Sequence, residues 1–303
     1  MRNAFIDELT LLAEESEEIF LIVGDLGYGV IENFEKRFPK QFLNAGVAEQ
    51  NMMGMAAGLA SAGYRVFVYS IGNFPVFRCL EQIRNDICYQ ELNVSIVSIG
   101  AGLSYGTLGY SHHAIDDISA MKGLPGMTIY SPADPIETRL ALASSISVKT
   151  PKYFRLGKSG EPNIFETVTS NYPDWTKLTK GDHLLLMTTG AITIEAIDAA
   201  KSLSLEGIEI SVCSIPILKP FRLNLTLVEK YQNIIVLEEH SISGGLGSII
   251  SEQIAQNGLK KNLSVLGLPD KVHHELGSQR YLRNYFKIDS QGIVNKVKEM
   301  LGV

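Results

Sequence analysis

The chain has 303 residues, 45% of them apolar and 20% charged, the composition of a globular protein with a sizeable core and not of a disordered or collagen-like one. Twenty-seven Lys and Arg against 33 Asp and Glu leave a net charge of −6, so no global positive field exists to hold nucleic acid or an anionic membrane. At about 150 residues per domain two domains are expected, and no run of about eighteen consecutive apolar residues provides a transmembrane helix.

The first residues, MRNAFIDELTLLAEESEEIF, mix acidic with apolar positions and read as an amphipathic helix, not a signal peptide. Short β-branched and aromatic runs follow at 19–23, 66–71, 94–99, 127–130 and 153–156, several apolar on both faces as buried parallel strands are. Between them the pattern is helical, most clearly at 49–62, where MMGMAAGLASAG leaves almost no polar face and predicts a helix buried on most sides. From 157 to 182 the periodicity lapses in a Gly- and Pro-containing stretch, the mark of an interdomain linker. Strands are then expected at 183–187, 208–215, 234–238 and 263–266, with helices near 192–204, 225–231 and 246–256. This alternation predicts an α/β protein of two doubly wound, mostly parallel-sheet domains, residues 1–165 and 181–303, joined by a linker at 166–180. Three cysteines, Cys79, Cys88 and Cys213, form no CxxC pair, which argues against a disulfide framework or a zinc site and fits a reducing cytoplasm.

Glu49 most needs a chemical explanation. An acidic residue in the first turn of a helix complements its dipole by about 0.3–1 kcal/mol, which accounts for its place but not for its apolar surroundings. An unpaired carboxylate there would have its charged form penalised and its pKa raised, leaving an acid poised to share a proton. The segment AGVAEQNMMGMAAGLASAG resembles the pyrimidine-binding domain of the transketolases, which use thiamine diphosphate. The resemblance implies that Glu49 hydrogen-bonds the ring nitrogen of the aminopyrimidine and so activates the cofactor.

The similarity continues in order and spacing over residues 68–137. It implies an aromatic ring stacked on the pyrimidine, with Phe74 the first choice and Phe77 the second; the alternative for both is a core aromatic. Arg78, opening RCLEQIRND, is a candidate for a substrate phosphate, with a helix-face salt bridge as the alternative. SHHAIDDI is similar to the family's Thr-His-His/Gln segment, which puts His112 at the reacting carbonyl and C1 hydroxyl. An imidazole with a pKa of about 6.5 can donate to a developing alkoxide and recover the proton at neutral pH. His113 is expected to pack or cap, and Asp116 and Asp117 to begin a helix. Asp25 ends the first predicted strand, at the edge where ligands gather in open parallel sheets, and the family has an aspartate there; helix capping is the alternative. Arg155, in KYFRLGKSG, falls where the family often places a phosphate-binding arginine, with an interdomain salt bridge as the alternative. LEEHSISGGLGSIISEQI is similar to the family's C-terminal domain, and its strand, Gly-rich turn and helix could cradle an anion. His273 and His274 are expected in a surface turn.

Two departures bear on substrate choice. Transketolases commonly carry Gly-Glu-Asp-Gly-Pro-Thr-His where this chain has YGTLGYSHH, so Leu108 replaces an acid that touches a sugar hydroxyl and suggests a deoxy or less polar acceptor. GAGL, beginning at Gly100, has no histidine where many members have one, which suggests an altered donor side.

The resemblance also implies Mg2+ or Ca2+ bound by a Gly-Asp-Gly and a later Asn. The Gly-Asp pairs here continue as GDLGYG and GDHLLL and do not fit. A split enzyme is therefore expected: this chain is the C-terminal section of a transferase moving a two-carbon ketol unit from a ketose or ketose phosphate to an aldehyde. A separate diphosphate-binding subunit would hold the metal, and the pair would associate as a dimer of heterodimers. Alternatives are a decarboxylating subunit similar to deoxyxylulose phosphate synthases or 2-oxo acid dehydrogenase β-subunits, and a noncatalytic assembly or regulatory subunit. The joint presence of Glu49, Phe74 and His112 weighs against the last.

Overall fold

The computed structural model describes residues 1–165 and 172–303. Strands β1 (Ile19–Val23), β2 (Phe42–Asn44), β3 (Arg65–Ile71), β4 (Val94–Ile99), β5 (Thr128–Tyr130) and β6 (Lys152–Leu156) come from the first half of the chain. The second half contributes β7 (Thr176–Lys177), β8 (Leu184–Thr188), β9 (Ile210–Ser214), β10 (Ile217–Lys219), β11 (Asn233–Ser241) and β12 (Asn262–Leu268). They form a 7-stranded sheet in the order β10-β5-β6-β4-β3-β1-β2 and a 5-stranded sheet in the order β12-β11-β8-β9-β7. Pairing is parallel except at one edge of each sheet, β10 on β5 and β7 on β9.

The all-apolar runs behave as expected. Every residue of β4, β8 and β9 is buried, because helices cover both faces of the central strands. The N-terminal helix, Arg2–Glu15, buries Phe5, Ile6, Leu9 and Ala13 beside the Pro135–Ser145 helix. One apolar cluster runs without a break from Met52 and Ile96 through Leu124 and Met127 to Ile215, Leu218 and Val236, so the two sheets share part of their core.

Three expectations need correction. The Glu49–Ser61 helix buries Met52, Met53, Ala56 and Ala57 but leaves Gln50, Asn51, Gly54, Gly58 and Ser61 exposed, so one side is bare instead of enclosed. The stretch read as a linker contains β7, and Trp175 beside it donates from its indole to the Arg222 carbonyl, 3.1 Å away. Residues 166–171 of that linker lie outside the described residues. Finally β7 and β10 are strands of two or three residues without a run long enough to announce them, and β10 crosses from the second half of the chain to close the first sheet's edge.

Because β1 to β6 run parallel, their C-termini lie along one edge of the sheet. The loops carrying Asp25, Glu49, Phe74 and His112 all leave from that edge, the place where open α/β sheets bind ligands.

Candidate active site

Glu49 opens its helix and is 5% exposed. Its Oε1 accepts a hydrogen bond from Arg78 Nη1 at 2.8 Å, so the carboxylate is not unpaired as its sequence context suggested. The Arg78 guanidinium in turn lies over the Phe74 ring, 4.1 Å from its centroid, in the geometry of a cation–π contact. Phe74 meets the His112 ring edge-on at 5.2 Å. Four side chains from three loops thus form one continuous chain of contacts: Glu49, Arg78, Phe74, His112. Beside Glu49 and Arg78 opens a concavity of about 480 Å³, lined also by Val47, Ala48, Gln50 and Asn51.

Local sequence explains the placement. Pro75 starts the short Phe74–Phe77 helix immediately after β3, its missing N–H costing nothing in a first turn. Asn73 Nδ2 reaches the carbonyls of Tyr110 and Ser111, each at 3.4 Å, and so ties the Phe74 turn to the His112 loop. Ser111 Oγ lies 3.0 Å from His112 Nδ1 and fixes the imidazole from one side. Asn73 and Ser111 were not singled out from sequence. An Asn after a strand and a Ser before a His were the available signals, and both are common. Cys79, next to this cluster, is no nucleophile: burial, with Glu49's charge adding, pushes its thiol up to about 12.

The other expected residues fall into separate places. Arg78 bridges two loops instead of pairing along one helix face. Phe77 is 43% exposed, so it is neither a core aromatic nor in ring contact with Phe74 or His112 among the described residues. Asp25, exposed and with φ of +56°, does not cap a helix. It accepts from Tyr28 Oη at 2.9 Å and Asn44 Nδ2 at 3.1 Å, toward the β2 end of the same sheet edge. Leu108 is 53% exposed on a tight turn, Gly106–Leu108. At Gly100, with φ of +93°, any Cβ would stand 2.1 Å from the Tyr105 ring, so Tyr105 fills the space a side chain at this position would need.

Arg155 is removed from any substrate. It is fully enclosed, its Nε donates to Asp117 Oδ2 at 2.9 Å, and its Nη2 donates to the carbonyls of Ala114 at 2.7 Å and Glu239 at 3.0 Å. Its salt bridge, to Asp117, therefore lies within the first domain and not between domains as the sequence alternative had it; only the hydrogen bond to the Glu239 carbonyl crosses to the second. Asp117 begins a helix but serves as the buried partner of Arg155 and of Tyr153 Oη, 2.6 Å away. His113 packs inside, Nε2 at 3.3 Å from the Gly106 carbonyl, and burial lowers its pKa. The Gly-rich turn does not await an outside anion: Glu238 accepts from Leu246 N–H at 2.7 Å and Gly247 N–H at 3.0 Å, filling the cradle with the chain's own carboxylate. His273 is buried against the Phe286 ring at 4.7 Å instead of lying in a surface turn, while His274 is exposed.

Residues 1–162 match the transketolase pyrimidine-binding domain and residues 174–293 the transketolase C-terminal domain. The chain belongs to the transketolase family. It is similar to an apulose-4-phosphate transketolase subunit of Actinobacillus succinogenes, with 31% identity over 97% of this chain and 96% of the relative. It is likewise similar to the corresponding apulose-4-phosphate transketolase subunit of Phocaeicola vulgatus, 32% identical over 99% of this chain and 97% of the relative. Among solved structures it resembles a split gene transketolase described as an inactive beta4 tetramer, with TM-score 0.87 and 33% identity, covering 99% of this chain and 97% of that one.

The residues present fit one end of the family's cofactor and not the other. The Arg78 guanidinium lies on the face of Phe74 and donates to Glu49, so an aromatic face and a carboxylate oxygen stand side by side, as a flat nitrogen ring that stacks and shares a proton would need. For the diphosphate end, no group of three or more His, Cys, Asp or Glu placed to hold a metal occurs among the described residues. Nor is any helix among them long and apolar enough to cross a membrane.

Proposed function

We propose that this transketolase-family chain is the C-terminal-section subunit of a split, thiamine diphosphate-dependent enzyme that moves a two-carbon ketol unit from a ketose or ketose phosphate to an aldehyde. The observation that carries the reading is the contact chain Glu49–Arg78–Phe74–His112 at the C-terminal edge of the first sheet. When bound, thiamine diphosphate supplies the carbon nucleophile that accepts the ketol unit. Glu49 would hold a proton against the pyrimidine ring nitrogen and Phe74 would offer its face to the ring, with Phe77 and Asp25 as further candidate contacts. Arg78 would give up its contacts with Glu49 and Phe74 if a ring took that place, and its guanidinium would then be available to a substrate phosphate. His112, held through Nδ1, exchanges a proton with the substrate oxygen at Nε2. Leu108, exposed on its turn, presents a methyl surface where an acid would read a hydroxyl, which favours a deoxy or otherwise less polar acceptor.

A separate subunit supplies the diphosphate site and its Mg2+ or Ca2+, and two such pairs form the symmetric enzyme. A solved relative named as an inactive tetramer of one kind of subunit supports the view that this chain alone does not turn over. The domains are taken as 1–165 and 181–303, and three buried free thiols suit a reducing compartment such as the cytoplasm.

The test is reconstitution with the diphosphate-binding chain and assay of ketol transfer, with apulose 4-phosphate, named for two relatives, among the first donors. Glu49→Ala is expected to abolish turnover with an unchanged circular dichroism spectrum; near-normal activity would overturn the Glu49 assignment. Release of carbon dioxide from pyruvate without ketol transfer would move the enzyme to the decarboxylating class.

A further inference from the structure

The loop that carries Leu108 and His112 is built on the first domain but fastened by the second. It leaves β4 at Gly100 and returns at Ala114, where Gly102 and Ala114 exchange backbone bonds of 2.9 and 3.0 Å. At its base stands Glu239, from the C-terminal end of β11 in the other sheet, 4% exposed. Glu239 Oε1 accepts from Leu103 N–H at 2.7 Å and from Gln279 Nε2 at 2.8 Å; Oε2 accepts from Arg283 Nε at 2.8 Å and Nη2 at 2.5 Å. Arg283 is held from behind by Glu195 at 3.2 Å, and Gln279 also reaches Ser104 Oγ at 3.3 Å.

The approach is as close as backbone allows. A Cβ on Gly102, where φ is +62°, would lie 2.6 Å from Glu239 Cγ, and one on Gly106 would lie 2.5 Å from the Gly277 carbonyl oxygen. Ser241 N–H donates to the Ile115 carbonyl at 2.6 Å, closing the loop's far side onto the same strand. Leu103 and Ile115 share a buried cluster with Leu282 and Leu237, so the apolar side of the loop base is also covered by the second domain.

We infer that Glu239, oriented by Arg283 and Gln279, is a positioning residue of the active site: it sets the 103–113 loop, and through it the place of His112, from the second domain. The carboxylate suits this task because one group must accept from a backbone N–H and from two side chains at once, and an ionised carboxylate has acceptor sites for all of them. The C-terminal domain then serves the reaction directly, beyond packing against the first. The link to chemistry rests on the proposed role of His112; the fastening of the loop does not.

Glu239→Gln keeps the shape and one acceptor oxygen but gives up the charge and the oxygen that faces Arg283. Hydrogen exchange of the full chain is expected to be at least about tenfold faster in peptides covering 103–113, with β8 and β9 unchanged. After reconstitution with the diphosphate-binding subunit, kcat is expected to fall about tenfold with donor KM nearly constant, as misplacement of a proton-transferring group predicts. Gln279→Ala removes a side bond only and should give a smaller increase confined to the same peptides, which decides the matter if Glu239→Gln does not fold. Unchanged exchange in the loop, or a rise spread evenly over the chain, overturns the inference. An inactive wild-type pair together with a loosened loop in the variants would defeat the proposed reaction and leave the fastening standing.

Discussion

Glu49 and Glu239 are both buried carboxylates, and they differ in how fully the chain itself satisfies them. Glu239 accepts bonds from Leu103, Gln279 and Arg283 and is saturated within its own chain. Glu49, among the described residues, has a side-chain bond only from Arg78, whose side chain is 49% exposed. The same division holds for the arginines: Arg155 is enclosed by Asp117 and two carbonyls, Arg78 lies at the rim of a concavity. A buried polar group with spare bonding capacity at an open edge is where an outside partner can add stabilisation, whereas a saturated one has nothing left to offer.

If that contrast is real, the junction should resist change and the open edge tolerate it. Arg155→Met leaves Asp117 buried without its cation and should cost about 3–5 kcal/mol in urea unfolding; a loss below about 1 kcal/mol would mean that the junction is no more closed than the edge. Second comes acid. His240, sealed in the junction 4.0 Å from Asp117, has its pKa drawn down to about 4, chiefly by burial. A base whose folded pKa lies below its ordinary 6.5 takes up its proton more readily when unfolded, so its contribution is full above about pH 6.5 and is lost as pH falls toward 4. The loss is on the order of 3 kcal/mol, and His240→Asn should flatten that part of the wild-type profile; an identical slope would remove His240 from the account.

The open edge should respond less. Glu49→Gln is expected to change unfolding free energy by less than about 1 kcal/mol, because its partner sits at the surface, while turnover of the reconstituted pair falls by roughly 10²–10⁴. Smallest in its whole effect, Arg78→Ala leaves the buried Glu49 without that partner but beside an open concavity, and should cost on the order of 1 kcal/mol of stability. It should also tighten thiamine diphosphate binding by the reconstituted pair, measured calorimetrically, since no guanidinium has to leave; weaker binding would show that Arg78 holds the cofactor and does not occupy its place.

What was legible in the sequence follows the same division. Runs such as VSIVSI and LLLMT declare themselves, because burial on both faces needs an unbroken apolar stretch, and residues 19–23 and 94–99 were bounded correctly for that reason. Glu49 stood out because a charge interrupts an apolar helix, whereas Phe74 and His112 were candidates only through the resemblance of their segments to the transketolases. Their contact through Arg78 was not legible, since an arginine that crosses between loops looks the same in sequence as one on a helix face. The junction was least legible: Asp117, Glu239 and Arg283 carry charges that ordinarily mark a surface, and only docking of the two sheets places them inside. The strands β7 and β10 were missed because two or three residues carry no period, and their pairing is supplied by distant neighbours.

β10 has a consequence for how this protein can be taken apart. Since residues 217–219 complete the sheet begun at residue 19, the boundary along the chain and the boundary in space do not coincide. A fragment ending at residue 165 would expose the unpaired side of β5, a bare strand edge that invites intermolecular pairing, and the remainder would carry an orphaned strand. Shuffling or fusing these two domains therefore requires that a short piece of the second travel with the first.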